Sequence, residues 1–318
     1  MNLFWAVTLL VAGVAILWKC ADVLVAGAVG LARKFGVSPV VIGLTIVAMG
    51  TSAPEVAASI AAGLRNMGET ALGNVYGSNI ANLALVGGLS AVLTPLTVAR
   101  RTLCREIPVM LVVALLLWPL LQDLCISRLE AAGMLLVFGL LILITIRLAH
   151  AESRTAEISE EDRGRPLGRN VVFVLLGLAG LAVGADLALR GAVYIGARVG
   201  LSQAVIGLTI VAVGTSLPEL ATSFVAALRG HHDISIGNLV GSNIFNTLLV
   251  TGAAGVVRPL AIGSRLAGPD FWIMIAITVL FAVAAVIGRR VLTRPAGLIL
   301  LLAYAAFMVY AVALTGAV

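Results

Sequence analysis

GTSAPE, residues 50–55, is a polar interruption in an otherwise apolar stretch of the chain. It places a carboxylate, two hydroxyls, a glycine and a proline where a helix that crosses a bilayer should be uniformly apolar. The same interruption returns as GTSLPE, residues 214–219, which lies 164 positions later. Because ionisable groups inside a membrane are costly and usually functional, the duplication predicts a site to which both halves of the chain contribute.

The composition indicates the class of protein. Hydrophobic residues make up 61% of the 318 residues, charged residues make up 11%, and the mean hydropathy is +1.11. About half of a soluble domain is apolar and about a quarter is charged, so these values predict an integral membrane protein. The net charge of +6 is explained by arginines in loops on one side of the membrane, and no nucleic-acid partner is expected.

Apolar runs of roughly 20 residues, separated by short polar breaks, predict ten transmembrane helices. The hydrophilic, mixed-charge stretch 150–170 predicts a charged linker, which separates a first five-helix repeat, 1–149, from a second, 171–318. The predicted spans are 3–31, 38–63, 71–96, 105–122, 128–147, 171–196, 202–227, 234–258, 269–288 and 295–315.

The two halves are copies of each other at the constant spacing of 164 positions. The match is densest between residues 43–88 and residues 207–252, and no similarity is visible between the last two spans of each half. Because each half holds an odd number of spans, the second copy enters the membrane from the opposite side. The predicted fold class is therefore an all-α integral membrane protein, in which ten transmembrane helices form two inverted five-helix repeats with broken helices at the midplane.

The distribution of basic residues predicts the orientation. Loops that follow the odd-numbered spans are rich in arginine and lysine, whereas the other loops are poor in them. The rich side should be cytoplasmic, which places the linker inside and both termini outside a cell (inner) membrane. The basic residues of the rich side are Arg33, Lys34, Arg100, Arg101, Arg105, Arg147, Arg154, Arg163, Arg165, Arg169, Arg229, Arg289, Arg290 and Arg294.

Proline dictates the local structure of each interruption. Pro54 has no N–H, so the carbonyl of Gly50 loses its helical donor and the helix should kink or open near residues 48–51. Thr51 and Ser52 lie four and three residues before Glu55, so the three side chains can share one helix face. The second copy repeats this arrangement, and each copy is expected to present a cluster of carboxylate, hydroxyl and freed carbonyl oxygens.

The third and eighth spans add a second polar element. Ser78 and Asn82 are four residues apart, as are Ser242 and Asn246, and each pair places oxygens along one helical stripe. The alternative is that these side chains only form hydrogen bonds across a helix interface. Their duplication beside each glutamate favours a role in the site.

Oxygen ligands without cysteine or histidine suit hard cations, namely Ca²⁺ and Na⁺, with Mg²⁺ and Mn²⁺ as alternatives. Glu55 and Glu219 together carry two negative charges, which one divalent cation cancels. Without a cation, two like charges lie close together and oppose occlusion of the site. This requirement predicts exchange of one ion for another, with the ions as substrates and no cofactor.

At these residues the sequence resembles the Ca²⁺/cation antiporter superfamily, in particular its prokaryotic sodium/calcium exchanger-like branch. Each half has Gly-Thr-Ser-x-Pro-Glu followed by Gly-Asn-x-x-Gly-Ser-Asn-Ile-x-Asn. The resemblance implies an antiporter that exchanges Ca²⁺ for Na⁺, with spans 3–31 and 171–196 sliding across the core. It implies Glu55 and Glu219 as central ligands, and as further ligands or site residues Thr51, Ser52, Thr215, Ser216, Ser78, Ser242, Asn82, Asn246 and the carbonyls of Ala48 and Ala212.

Two features leave the coupling ion open within this family. Some members carry Asp at one of the positions of Asn82 and Asn246, so Asn at both leaves K⁺ or H⁺ coupling as an alternative. The proton-coupled relatives have Gly-Asn-x-x-Glu, whereas Gly73-Asn74 is followed by Gly77, which favours Na⁺.

Proteins of other classes are less compatible with the sequence. A membrane-embedded hydrolase would need an activated nucleophile and usually an intramembrane His or Arg, and a channel would conduct poorly through ligands that cancel an ion's charge. The protein is therefore expected to be a monomeric transporter and not an enzyme. Asp22 and Asp186, also duplicated, are expected to act in structure or gating by pairing with Lys19 and Arg190.

Overall fold

The computed structural model describes residues 2–153, 166–200 and 212–313, together with Ile206 and Ile210. These residues are helical apart from turns and four short strands, β1 Leu96–Thr97, β2 Cys125–Ile126, β3 Leu260–Ala261 and β4 Val291–Leu292. The helices are α1 Leu3–Phe35, α2 Pro39–Thr51, α3 Ala53–Leu64, α4 Gly68–Leu93, α5 Thr102–Leu120, α6 Arg128–Ser153, α7 Leu167–Arg198, α8 Ala212–Thr215, α9 Leu217–Leu228, α10 His232–Val257, α11 Leu266–Ile287 and α12 Arg294–Ala313.

The described residues confirm a multi-pass helical membrane protein. Eight of the helices are long and apolar enough to cross a membrane, and α2 with α3 adds one span that bends by 44°. The predicted span 202–227 begins where only Ile206 and Ile210 are described, so the structure describes its second part, α8 and α9.

Both ends of the predicted linker 150–170 are helical, because the two flanking helices extend past their apolar runs. Helix α6 continues to Ser153 and α7 begins at Leu167. Backbone hydrogen bonds, not hydrophobicity, determine where a helix ends, so a helix continues past its apolar run. Residues 154–165, the central part of the linker, lie outside the described residues.

Helices α4 and α10 lie at the centre of the bundle, and α6 and α12 lie at its periphery. Most of the apolar length of α4 and α10 is buried, whereas α6 and α12 bury little of theirs. The polar residues of α4 and α10 are therefore enclosed by protein, while the outer helices present apolar surface to lipid.

Helices α1 and α7 pack against each other along their lengths as one antiparallel pair. Gly13 lies against Ala188, and Gly177 lies against Leu24. A Cβ atom at either glycine would come closer than 3 Å to the partner backbone. Small residues of this kind let two membrane helices approach closely.

Two short antiparallel strand pairs join the halves of the chain. Leu96 of β1 pairs with Leu292 of β4, and Ile126 of β2 pairs with Leu260 of β3. Leu260 follows Leu96 by 164 positions and Leu292 follows Ile126 by 166 positions, so each strand pair is the counterpart of the other.

The last two spans of the first half form contacts that correspond to those of the last two spans of the second half, although the sequences of these spans show no similarity. Arg101 binds Glu106 at 3.0 Å, and Arg265 binds Asp270 at 3.0 Å with the same spacing of 164 positions. The correspondence continues into α6 and α12 at a spacing of 166 positions. Lipid-facing positions need only be apolar, so their identities diverge, and two additional residues in the second half shift the register.

The predicted partners of the duplicated aspartates are half correct. Arg190 Nε lies 2.8 Å from Asp186 Oδ2, as the helical spacing predicts. Asp22 instead pairs with Arg229, with Nη2 2.9 Å from Oδ1, and not with Lys19. The predicted pairing with Lys19 is wrong because Asp22 faces α9, and Arg229 follows directly after that helix.

Candidate cation site

The break between α2 and α3 lies at Ser52. This residue has φ −82° and ψ 6°, and Pro54 falls in the first turn of α3, where its missing N–H removes no helical bond. Ser216 has φ −88° and ψ 8° and separates α8 from α9 in the same way. The predicted kink is therefore present, one residue later than the interval 48–51.

The carbonyl of Ala48 is not free, contrary to the prediction that the kink would release it. It accepts a hydrogen bond from Ser52 N–H at 3.0 Å and lies 3.3 Å from the hydroxyl of Thr51. The helix therefore keeps its backbone bonds up to the break, and a π-helical turn occupies residues 43–47 just before these residues. In the second half Ser216 N–H donates to Val213 at 3.1 Å, so the Ala212 carbonyl does not receive this bond.

Glu55 and Glu219 are both completely buried. Ser52 Oγ, in the break of the first half, donates to Glu219 Oε1 of the second half at 2.9 Å. Ser78 Oγ on α4 donates to Glu55 Oε1 at 3.5 Å. The Oε2 atom of each glutamate has no hydrogen-bond partner among the described residues. The two breaks are therefore in contact, and each glutamate has one carboxylate oxygen to which no described residue donates a hydrogen bond.

A second contact joins the halves beside the glutamates. Thr51 Oγ1 lies 3.2 Å from Asn238 Oδ1 on α10, and its single hydrogen serves either this atom or the Ala48 carbonyl. Asn238 Nδ2 in turn donates to Ser223 Oγ at 2.9 Å, and Asn74 Nδ2 donates to Ser59 Oγ at 3.0 Å in the first half.

These asparagine–serine pairs were not assigned to the site from the sequence. Their signal was present, because each serine lies four residues after a glutamate and repeats at the spacing of 164.

Asn82 and Asn246 place side-chain amides without hydrogen-bond partners among the described residues at the centre of the bundle. Each is completely buried in a π-helical turn, Ala81–Val86 or Asn246–Val250. Neither side-chain atom of either amide has a partner among the described residues, and the same holds for Ser216 Oγ and Ser242 Oγ. Buried polar groups are almost always satisfied, so this concentration of unpaired groups marks the region as a candidate ligand site.

The structure brings only part of the predicted set into mutual contact. Ser52 bonds to Glu219, Ser78 bonds to Glu55 and Thr51 contacts Asn238, whereas Ser216 and Ser242 bond to neither glutamate. Thr215 ends α8 and is half-buried, and Ala212 begins it. No group of three or more Asp, Glu, His or Cys side chains suited to a metal occurs within the described ranges, so a cation would rely on two carboxylates and neutral oxygens.

Buried acids at breaks in two membrane helices define a class, the helical membrane transport proteins. The model of the sodium/calcium exchanger protein family matches residues 5–147 and 169–313, one copy for each half. The chain therefore belongs to the sodium/calcium exchanger family, whose members are antiporters.

Individual relatives match over nearly their full length. A protein named CaxA, from Alkalimonas amylolytica, is 41% identical over 302 residues, 93% of this chain and 94% of its own. The sodium/calcium exchanger MaX1 of Methanosarcina acetivorans is 32% identical, over 95% of this chain and 97% of its own. A solved structure of the sodium-calcium exchanger NCX_Mj, soaked with Na⁺ and Sr²⁺, superposes with a TM-score of 0.83 at 30% identity, over 96% and 98% of the two chains.

Proposed function

We propose that this protein is a secondary active antiporter that exchanges Ca²⁺ for Na⁺ by alternating access around a midplane site. The observation that carries the proposal is the meeting of Glu55 and Glu219. They come from different halves and are completely buried, and each keeps one carboxylate oxygen without a partner among the described residues. Ser52, in the break beside Glu55, donates to Glu219.

Charge and ligand type point to a hard cation. Two carboxylates at the midplane cost roughly 2.5–3.5 kcal/mol each on insertion scales, and one Ca²⁺ or two Na⁺ would cancel their charge. The remaining polar groups supply oxygens and no sulfur or imidazole, which favours Ca²⁺ and Na⁺ over Zn²⁺ or copper. The proposed ligands beside the glutamates are Thr51, Ser52, Thr215, Ser216, Ser78, Ser242, Asn82, Asn246 and the carbonyls of Ala48 and Ala212.

Coupling follows from the same charges. A site that holds two uncompensated carboxylates resists closure, so the protein switches sides only when cations occupy it. Two inverted repeats of five helices would supply the switch, since their exchange of conformations opens the site to opposite faces. The NCX_Mj structures, which address extracellular ion exchange and occlusion of that protein's binding site with Na⁺, Ca²⁺ or Sr²⁺, support this mechanism by analogy.

The proposed setting is the cell (inner) membrane, with a monomer as the transporting unit. The excess of arginine in the loops after odd-numbered spans places the central linker in the cytoplasm and both termini outside. A cysteine at the C-terminus should therefore react with an impermeant maleimide added outside intact cells, and reaction from the cytoplasm alone would overturn this orientation.

The experiment is ion-resolved flux in vesicles that contain the purified protein. An outward Na⁺ gradient should drive uptake of radiolabelled Ca²⁺, and K⁺ or H⁺ gradients of equal size should not. Uptake driven by a K⁺ or H⁺ gradient would show that this ion, and not Na⁺, is the coupling ion. Uptake without any counter-ion would indicate a channel, and phosphate release from a lipid substrate would indicate a hydrolase.

A further inference from the structure

An ion pair connects α1 to the core of the bundle. Arg229, which follows the last residue of α9, places Nη2 2.9 Å from Asp22 Oδ1 on α1. Trp18, one turn earlier on α1, packs its ring edge-on against Phe224 of α9 with centroids 6.0 Å apart. Helix α1 thus lies along α9 and is held at the end where α9 terminates.

Both members of this pair are duplicated in the sequence. Asp186 follows Asp22 by 164 positions, and Arg229 follows Arg65 by 164 positions. The counterpart of the pair Asp22–Arg229 is therefore Asp186–Arg65, which would tie α7 to the end of α3.

The counterpart pair is not formed in this structure. Asp186 binds Arg190 on its own helix at 2.8 Å, and Arg65 is exposed and makes no ion pair with the described residues. The helices differ in the same way, because α1 packs along α9 whereas α7 scarcely touches α3. The two halves therefore carry the same acid and base in different arrangements.

We propose that the pairs Asp22–Arg229 and Asp186–Arg65 form alternately, each holding the transporter in one of its two access states. The proposal rests on the alternating access of the proposed function. When inverted repeats exchange conformations, a contact present in one half is replaced by its counterpart in the other. The close packing of α1 against α7 makes them one unit, so a single displacement breaks one pair and forms the other.

Arg190 binds Asp186 in the state in which Asp186 and Arg65 do not form their ion pair. Its ion pair with Asp186 joins residues one turn apart on the same helix, and both side chains are more than half exposed, so packing does not fix the pair in place. Asp186 can therefore transfer from Arg190 to Arg65 without crossing the membrane interior as an unpaired charge. Asp22 has no basic residue four positions after it, since that position is Ala26.

Proximity in each state can be measured by crosslinking in vesicles. Cys20, Cys104 and Cys125 are first replaced by Ser, and the variants D22C/R229C and R65C/D186C are treated with a short bifunctional maleimide. Crosslinked peptides are quantified by mass spectrometry with Ca²⁺, Na⁺ or neither present. We expect both pairs to crosslink and to respond in opposite directions to the ions. Failure of R65C/D186C to crosslink in protein that still transports, or a parallel response of both pairs, would overturn the proposal.

Single neutral substitutions test the same idea without crosslinkers. D22N weakens the pair seen here and R65Q weakens its counterpart, so the ratio of apparent Ca²⁺ affinities at the two faces should shift about two- to fivefold in opposite directions. K19Q removes a charge near Asp22 on the exposed side of α1 and should leave the ratio of affinities unchanged. The charge-swapped variant D22R/R229D should restore the ratio of the unsubstituted protein. Shifts in the same direction, as a general loss of stability would give, contradict the proposal.

The two proposals fail in distinguishable ways. Crosslinking reports a conformational exchange and does not depend on which ions drive it. Absence of Na⁺-driven Ca²⁺ uptake by the unsubstituted protein would overturn the proposed function, whereas parallel crosslinking in an active exchanger would overturn only the alternating ion pairs.

Discussion

The segments GTSAPE and GTSLPE differ at one residue and make different hydrogen bonds. In the first half, Ser52 donates to the glutamate of the other half, and the carbonyl of Ala48 accepts the N–H of Ser52. In the second half, Ser216 Oγ has no partner among the described residues, and its N–H turns to Val213. Nearly identical sequences therefore occupy unequal environments, as the proposed alternation between two access states requires of the two repeats.

The largest expected effect concerns a property that the halves should share, their charge. E55Q and E219Q each remove one of two negative charges, so Ca²⁺-coupled flux should fall by at least about a hundredfold in both variants, because removing one partner of a buried ion pair costs roughly 3–5 kcal/mol. E69Q, at an exposed carboxylate in the first turn of α4, is the matched control and should transport normally. Strong Ca²⁺ exchange in either E55Q or E219Q would break the equivalence of the two glutamates.

The next effect should differ between the two halves. S52A removes the donor to Glu219, and a hydrogen bond to a charged group contributes roughly 1.5–3 kcal/mol. S216A removes a hydroxyl without a bond to the described residues and should cost almost nothing. We expect S52A to lower the melting temperature of ion-free protein well below that of S216A. Equal shifts would mean that the two breaks are equivalent in solution.

The smallest effect concerns helix packing at corresponding glycines. A Cβ atom at Gly237 would lie 2.8 Å from the Val40 carbonyl, whereas nothing described lies within 4 Å of a Cβ at Gly73. G237A should therefore destabilise the protein by about 1–2 kcal/mol, and G73A should be neutral or stabilising by up to about 1 kcal/mol. Melting of both variants side by side checks this, and a larger loss for G73A would contradict the described packing.

Much of the fold was predictable because membrane helices obey strong constraints. Nine of the ten predicted spans coincide with helices or with the bent pair α2–α3, since only long apolar helices satisfy the backbone in lipid. The break before Pro54 was predictable because proline is disfavoured in a helix interior and favoured in a first turn. The internal repeat was recognisable from residues that are identical at a spacing of 164 positions. Burial between helices preserves these identities.

Other features were not predictable because they depend on contacts between distant residues. The pairing of Asp22 with Arg229 requires knowing which face of α1 meets α9, and local spacing pointed to Lys19 instead. The bond from Ser52 to Glu219 and the occupied carbonyl of Ala48 arise from how the two breaks face each other. The correspondence of Arg101–Glu106 with Arg265–Asp270 was hidden by apolar residues that diverge freely around it.

The most direct test of the central claim is equilibrium binding of radiolabelled Ca²⁺ to the purified, detergent-solubilised protein, with Na⁺ as competitor. A site built on both glutamates predicts one Ca²⁺ per chain at the midplane, displaced competitively by Na⁺ and lost in both E55Q and E219Q. Retention of Na⁺-sensitive Ca²⁺ binding in either variant, or two independent Ca²⁺ sites of which each variant removes one, would contradict a single site shared by the two halves.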